Sequence, residues 1–415
     1  MKNARQVAFE VLVQVIESKQ YVNLALKNLE LERKEQALVT RLVYGTLQHF
    51  YYLEYQWSDC IVKKPPIEIT ILLNMALYQV LFMDKIPSYA ILDEIVSISK
   101  KIHQGRYSGL INAIGRKIVL RPARLVVREN IVEKLAIETS HPSWLLYMWR
   151  KQLGWEATEA IARLNNEPPL LYCRVNELKA AYEDVISQND FIVDDLYHKT
   201  LIATSTILQD PLFLQGKILI QDKNSQRVAY FAQVAPNESV LDMCSAPGTK
   251  TVHLAQFMNN TGVITAVELH PHRAQLVEQL LLKTGVKNTE VICADATDLP
   301  PFIKDKMYDT VFIDAPCSGL GVIRRKPDIK IRILPADLDA MEKVQKNLLA
   351  AAVSLVKVKG QIIYATCTLN RKENQNQINH FVQEYPQFQI EDEQIFLPHS
   401  TNADGFYMAK LRRIS

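Results

Sequence analysis

From Glu238 onward, short runs of β-branched and apolar residues alternate with stretches that carry apolar residues at helical spacing. Strands that are each followed by a helix are laid parallel by crossovers, so this pattern builds a doubly wound parallel sheet. The expected strands are Ser239–Met243, Gly262–Val267, Thr289–Cys293, Tyr308–Ile313 and Gly360–Ala365. In such a sheet ligands bind outside the carboxyl ends of the strands, so the residues just after each run are where chemistry belongs.

The first strand runs into Cys244-Ser245-Ala246-Pro247-Gly248-Thr249-Lys250 and then a helix. This turn is neither GxGxxG nor a P-loop: its single glycine lets the backbone approach a ligand but builds no phosphate cradle. Glu268, 20 residues after Gly248, ends the second strand, where an acid can accept hydrogen bonds from ribose hydroxyls. Asp295 follows the third strand, placed for the adenine side of a nucleoside cofactor. Taken singly, each acid reads more simply as a helix cap or a solvated loop residue. Suitable groups at three successive strand ends favour a nucleoside site.

Two further strand ends carry cysteines, in Asp314-Ala315-Pro316-Cys317-Ser318-Gly319 and in Thr366-Cys367-Thr368, and both can face the same crevice. A lone cysteine is more often a small buried hydrophobe than a nucleophile. Here Arg324, Arg325, Lys326, Lys330 and Arg332 follow Cys317 closely, with Asp328 the one acid among them. That run is expected to favour a thiolate and to attract a phosphate backbone. All six cysteines (Cys60, Cys173, Cys244, Cys293, Cys317, Cys367) are irregularly spaced. They make neither a disulfide framework nor zinc knuckles, so reduced thiols and no metal are expected.

The front half has a different period. From Val7 to about Val119 apolar residues recur at helical spacing, broken at Pro65, Pro66 and Pro87, which reads as an all-helical domain. Residues 1–128 hold 18 Lys+Arg against 11 Asp+Glu, a net +7, whereas the rest holds 30 against 34. A basic excess at one end fits a module that meets a polyanion. Arg121-Pro122 begins a linker, and Ser140-His141-Pro142-Ser143-Trp144-Leu145 opens a helix with a serine cap and an N-terminal proline. A small α+β segment follows, with strands over Leu171–Val175 and Gly216–Gln221. The expected domains are 1–128, 129–236 and 237–415. No apolar run is long enough to cross a bilayer, which points to a cytoplasmic protein with no membrane contact, and no obligate protein partner is evident.

Ala4-Arg5-Gln6-Val7-Ala8, Leu42-Val43-Tyr44-Gly45-Thr46, and Pro87 followed by Ile91-Leu92-Asp93-Glu94-Ile95-Val96 resemble the NusB-like fold. Gly115 stands where that family usually has a larger residue, which leaves the end of its helix open. Leu241-Asp242 through Lys250, Asp314 through Gly319, Gly321 through Lys330, and Tyr364 through Thr368 resemble the Sun-type RNA cytosine-5 methyltransferases. With the NusB-like front, the whole chain is similar to the bacterial enzymes of that type that modify 16S ribosomal RNA. The resemblance implies an all-α NusB-like N-terminal domain, a small α+β RNA-binding segment and an α/β Rossmann-like class I methyltransferase domain. It implies that Cys244, Ser245, Ala246, Pro247, Gly248, Thr249 and Lys250, with Glu268, Asp295 and Asp314, line an S-adenosylmethionine site. It makes Cys367 the nucleophile and Cys317 the residue that assists product release, with 16S ribosomal RNA as partner. Thr249, Glu268, Ile331 and the stretch Asn370-Arg371-Lys372-Glu373-Asn374 depart from the usual glycine, aspartate, tryptophan and PEEN.

The implied chemistry needs these residue types. C5 of cytosine is a poor nucleophile, and thiolate addition at C6 makes it enamine-like, dividing one hard step into easier ones. Asp314 would hydrogen-bond the Watson–Crick edge, protonated or working with a nearby donor. Two other readings remain: a DNA cytosine-5 methyltransferase, which would take Cys317 as nucleophile, and a non-catalytic RNA-binding or ribosome-assembly factor that keeps the fold.

Overall fold

Tyr308, Thr310, Val311, Phe312 and Ile313 are all buried, the pattern of a strand covered on both faces at the centre of a parallel sheet. The computed structural model describes every residue except 1–2, 28, 30, 84–85, 188–190, 197 and 204–205. It comprises two units, Met1–Pro168 with Ile323–Leu334, and Pro169–Val322 with Pro335–Ser415. The strands in chain order are β1 (Tyr172–Val175), β2 (Ile192–Asp195), β3 (Thr200–Ile202), β4 (Ile218–Ile220), β5 (Ser239–Asp242), β6 (Val263–Glu268), β7 (Thr289–Cys293), β8 (Tyr308–Asp314), β9 (Val356–Thr366), β10 (Phe388–Phe396) and β11 (Phe406–Arg413).

In the second unit β5 to β11 form one sheet in the order β10-β11-β9-β8-β5-β6-β7. The five strands expected from the sequence pair in parallel, joined by crossovers that include the helices Thr249–Phe257, Pro271–Thr284 and Pro335–Ala352. The sheet is mixed, because β10 and β11 add an antiparallel hairpin beside β9. The sequence reading missed this hairpin for a physical reason. β10 carries Glu391, Asp392 and Glu393, and charge on an edge strand blunts further pairing while erasing its apolar signature. A smaller antiparallel sheet, β2-β3-β1-β4, precedes it. Arg174 of β1, in the segment that the resemblance makes RNA-binding, is only 2% exposed. Its guanidinium donates to Gln221 Oε1, Gln256 Oε1 and the carbonyl of Thr249, so it ties the small sheet to the helix that follows the Cys244–Lys250 turn.

The first unit is built around Ile67–Phe82, a helix in which Ile69 to Gln79 are buried without a break, so that it has no solvent face. Its two buried amides are satisfied: Asn74 accepts from Trp57 Nε1 at 2.8 Å and donates to the carbonyl of Phe50 at 3.1 Å, and Gln79 accepts from Arg5 Nε at 2.6 Å and donates to the carbonyl of Met75 at 2.9 Å. The helix Ser108–Val119 runs on through Gly115. Ser140 does not cap the helix Ser143–Leu153, whose N-cap is Pro142. Ser140 Oγ instead accepts from the backbone N–H of Tyr51, capping the helix Phe50–Ser58 from outside.

The same unit takes in Ile323–Leu334, and this overturns the expected role of three residues of the basic run, while Arg325 is half-buried and Lys326 exposed. Lys330 is 1% exposed and donates to the carbonyls of Gln48 and Thr139 and to Asn166 Oδ1 at 2.7–3.1 Å. Arg324 donates to the carbonyls of Glu167 and Pro168, and Arg332 to Asp328 and the carbonyl of Lys19. Ile331 packs on the helical core. These three cations are buried anchors rather than a face for phosphates. Burial pushes the Lys330 amine well below the ordinary lysine value. Replacing it takes a donor from the carbonyls of Gln48 and Thr139 and from Asn166 Oδ1, of which the Thr139 carbonyl keeps Asn166 Nδ2, so Lys330→Met should lower stability by roughly 2 to 4 kcal/mol in urea denaturation. An unchanged midpoint would remove Lys330 as an anchor.

Candidate active site

β5 and β8 lie side by side, and the strand order runs outward from them in opposite directions, so a crevice opens where their carboxyl ends part. The expected site residues of the first loop sit there. Ser245 donates to the carbonyl of Val267 through both its N–H and its hydroxyl, and Gly248 N–H donates to the carbonyl of Ser245, closing the turn. Gly248 has φ of 100°, and a Cβ there would also press on Leu280 and Val277, so the position is held for glycine. The Ala246–Pro247 peptide is cis. Lys250, in the first turn of the following helix, reaches Asp314 at the end of β8 with Nζ 2.7 Å from Oδ2. Burial works against that ammonium, but Asp314, Cys367 and Asp242 together raise it above the ordinary lysine value. Lys250 is thus the donor beside Asp314.

Glu268 is buried at the end of β6. Its Oε1 accepts from the His270 N–H at 3.0 Å and faces Arg273 at 3.3 Å, while Oε2 has no hydrogen-bond partner among the described residues. A buried acid with one such oxygen fits a ligand that brings hydroxyl donors. Asp295 lies two residues beyond β7, exposed, with Oδ1 accepting from the N–H and hydroxyl of Thr297. Burial pushes the Cys244 thiol well up, with Asp242, Asp314 and Glu268 adding to the effect.

Cys317 and Cys367 do converge: their Sγ atoms are 3.4 Å apart, and both are free thiols. Cys367 follows directly on β9, and Cys317 stands three residues past β8. Gly321 lets the two chains meet, since a Cβ on it would collide with the carbonyls of Gly405 and Cys367, and its own N–H donates to the latter. The contact with Cys367, then burial, then the charges of Cys367 and Glu373 push the Cys317 thiol well above its ordinary value.

Sequence reasoning passed over the residues that hold these loops. Glu373 and Asn374 are buried between them, with Gln345 from the helix Pro335–Ala352 and Tyr364 from β9. Their only signal was an acid and an asparagine in a polar stretch after Thr368, noted as a departure and nothing more. Among the described residues no group of three or more His, Cys, Asp or Glu could hold a metal ion, and no helix is long and apolar enough to cross a membrane.

Residues 229–412 match the family described as 16S rRNA methyltransferase RsmB/F, residues 2–119 the NusB family, and residues 141–188 the ferredoxin-like domain of RsmF/B-like methyltransferases. A Bacillus subtilis (strain 168) protein named probable ribosomal RNA small subunit methyltransferase B is 34% identical, over 99% of this chain and 99% of its own. The chain belongs to the RsmB/F family of 16S rRNA methyltransferases. A Synechocystis relative with the same name is 29% identical over the full length of both. In fold, the crystal structure of PH0851 covers 99% of both chains with a TM-score of 0.81 at 24% identity. That of NSun6 from Pyrococcus horikoshii with SFG covers 66% of this chain and 98% of its own, with a TM-score of 0.58 at 21% identity. The RsmB/F assignment agrees with the resemblance read from the motifs, and the Rossmann-like, ferredoxin-like and NusB parts account for both units.

Asp242, at the end of β5, adds a pH signature to this family's site. Burial raises its carboxyl to about 7 with help from nearby Asp314, against the hydrogen bond from Thr251 at 2.7 Å. A carboxyl raised on folding binds a proton that the unfolded chain has lost, so its contribution is complete below pH 3.8 and is lost as pH rises to about 7. Asp242→Asn removes this drift. The variant should gain on wild type across that window by at most about 1.4 kcal/mol per pH unit in urea titrations, and a constant difference would refute the assignment.

Proposed function

We propose that this chain transfers a methyl group from S-adenosylmethionine to C5 of a cytosine in 16S ribosomal RNA, with Cys367 as nucleophile, Cys317 as the residue that resolves the adduct and Asp314 on the base. The observation that carries this reading is the contact of the two thiols at 3.4 Å, in the sheet whose Asp314 carboxylate pairs with Lys250. Cys244, Ser245, Ala246, Pro247, Gly248, Thr249, Lys250, Glu268, Asp295 and Asp314 are the residues assigned to hold S-adenosylmethionine, which supplies an electrophilic sulfonium methyl. The open Oε2 of Glu268 supports a ribose contact there.

Cys317 keeps its proton and offers it toward Cys367, which leaves Cys367 as the thiolate of the pair. Its sulfur bonds to C6, the C5–C6 π pair shifts into C4–C5 and the C4–N3 pair onto N3, so that C5 becomes nucleophilic and would take the sulfonium methyl, the thioether leaving with the pair of the broken S–CH3 bond. Asp314 and Lys250 meet the Watson–Crick edge, the ammonium stabilising charge that develops at N3 and O2. Once Cys367 is bonded to carbon it is no longer a thiolate acceptor for the Cys317 thiol nor a charge beside it, which removes two of the causes that keep Cys317 protonated and lets that proton pass to solvent. Cys317 is then free to ionise and take the C5 proton, after which the double bond re-forms and Cys367 leaves as thiolate.

The +7 excess of residues 1–128 supports a front that holds RNA while the target base is turned out, and it does so without the buried Arg174, Arg324, Lys330 and Arg332. On this reading residues 129–236 connect the front to a methyltransferase domain over 237–415, and the work is done in the cytoplasm.

Glu268→Ala should weaken S-adenosylmethionine binding in calorimetry at least tenfold while the circular dichroism spectrum is preserved, and equal affinity would sink the ribose assignment. The cysteines separate on one denaturing gel with labelled S-adenosylmethionine and unmodified 16S RNA. Cys367→Ala should give neither product nor adduct, and Cys317→Ala should accumulate a methylated adduct that survives denaturation. The reverse pattern would make Cys317 the nucleophile, as in DNA enzymes, and normal turnover in both would leave only a binding role.

A further inference from the structure

Glu373 is fully buried, with no exposed surface, yet no lysine or arginine is among its hydrogen-bond partners. Taking a carboxylate out of water without a cation is costly unless neutral donors surround it. They do. Oε2 accepts from the backbone N–H of Ser318 at 2.8 Å and from Gln345 Nε2 at 3.0 Å, and Oε1 accepts from the hydroxyl of Ser318 and from Asn370 Nδ2 at 3.1 Å. Ser318 is the residue after Cys317. Its hydroxyl also meets that of Thr368, the residue after Cys367, at 2.8 Å. Gln345 further donates to the carbonyl of Pro316, on the other side of Cys317, at 3.0 Å. Next in the chain, Asn374 accepts from the hydroxyl of Thr366 at 2.6 Å and donates to the carbonyl of Thr368 at 2.9 Å, so it grips both neighbours of Cys367. The carbonyl of Glu373 accepts from Tyr364 at 2.7 Å, which pins the stretch to β9.

We propose that Glu373 is a positioning residue: its carboxylate holds the Cys317 turn against the Cys367 strand end, and its charge decides which of the two thiols keeps the proton. The inference rests on the reading of the two cysteines given above. A buried negative charge with no counter-ion disfavours a second anion beside it, and Cys317 is the thiol whose neighbouring residue bonds to the carboxylate at both its N–H and its hydroxyl. The charge of Glu373 acts on Cys317 in the direction this requires. Among the other ionisable groups that act on the pair are Tyr364 of β9, and Lys250, which faces Cys367 and is itself paired with Asp314 of β8. Lys250 favours an anion at Cys367 and Glu373 disfavours one at Cys317, so the two charges push the proton the same way.

The test reads each thiol in the full-length protein, with neither RNA nor cofactor present. Iodoacetamide alkylation is followed from pH 6 to 10 by mass spectrometry of the tryptic peptides, Cys317 and Cys367 lying on different ones. In wild type Cys367 should react first. In Glu373→Gln, which keeps the shape and removes the charge, the Cys317 profile should move down by about one pH unit, roughly a tenfold faster reaction at pH 8. Glu373→Asp keeps the charge but withdraws it by one methylene from Ser318 and Gln345. It should retain the wild-type Cys317 profile and lose at least tenfold in kcat, with KM for RNA little changed. An unshifted Cys317 profile in a Glu373→Gln protein that melts cooperatively would overturn the charge role, and a fully active Glu373→Asp would overturn the positioning role. A wild type in which Cys317 reacts first would instead overturn the nucleophile assignment, and that result is read from a different sample.

Discussion

Parallel strands can be joined only by crossovers, and where the direction of crossing reverses the two central strands leave an open crevice at their carboxyl ends. Here those strands are β5 and β8, and the candidate chemistry gathers beyond them or their neighbours: the Cys244–Lys250 turn after β5, Glu268 ending β6, Asp314 ending β8 and Cys367 following β9. The sheet fixes these groups without needing any contact between them. It brings residues far apart in the chain to one edge by register alone, Asp242 of β5 standing opposite Phe312 of β8, and Asp314 opposite Ala365 of β9.

Register is too coarse to bring two sulfurs into contact, and the finer adjustment comes from buried polar groups. Glu373 binds Ser318 beside Cys317, Gln345 binds Pro316 on its other side and Asn374 binds both neighbours of Cys367, while Gly321 lets the two backbones approach. A polar group buried with all its bonds made is more restrictive than an apolar one, because any displacement strands a donor or an acceptor away from water. The same physics explains the three buried cations of the helical unit and Arg174 of the small sheet. Arg324 and Lys330 donate chiefly to carbonyl oxygens, and Arg332 and Arg174 to carbonyls as well as side-chain acceptors. All four restrain backbone geometry rather than present charge to a partner.

The sequence by itself determined the architecture. The helical period of the front, the five parallel strands and the strand ends that carry acids and cysteines all follow from periodicity and from the kinds of residue that close each run, because these are local properties. Only the tertiary structure decided which charges are available. Arg324, Lys330 and Arg332 read as a basic patch along the chain, yet the carbonyls they bind come from segments more than a hundred residues earlier, which no local pattern records. The hairpin of β10 and β11 was hidden by acids that suit an edge strand. Glu373 looked like one solvated acid among polar neighbours and became the buried centre of the two cysteine loops, since a side chain's environment is set by what packs over it and not by what stands next to it in sequence.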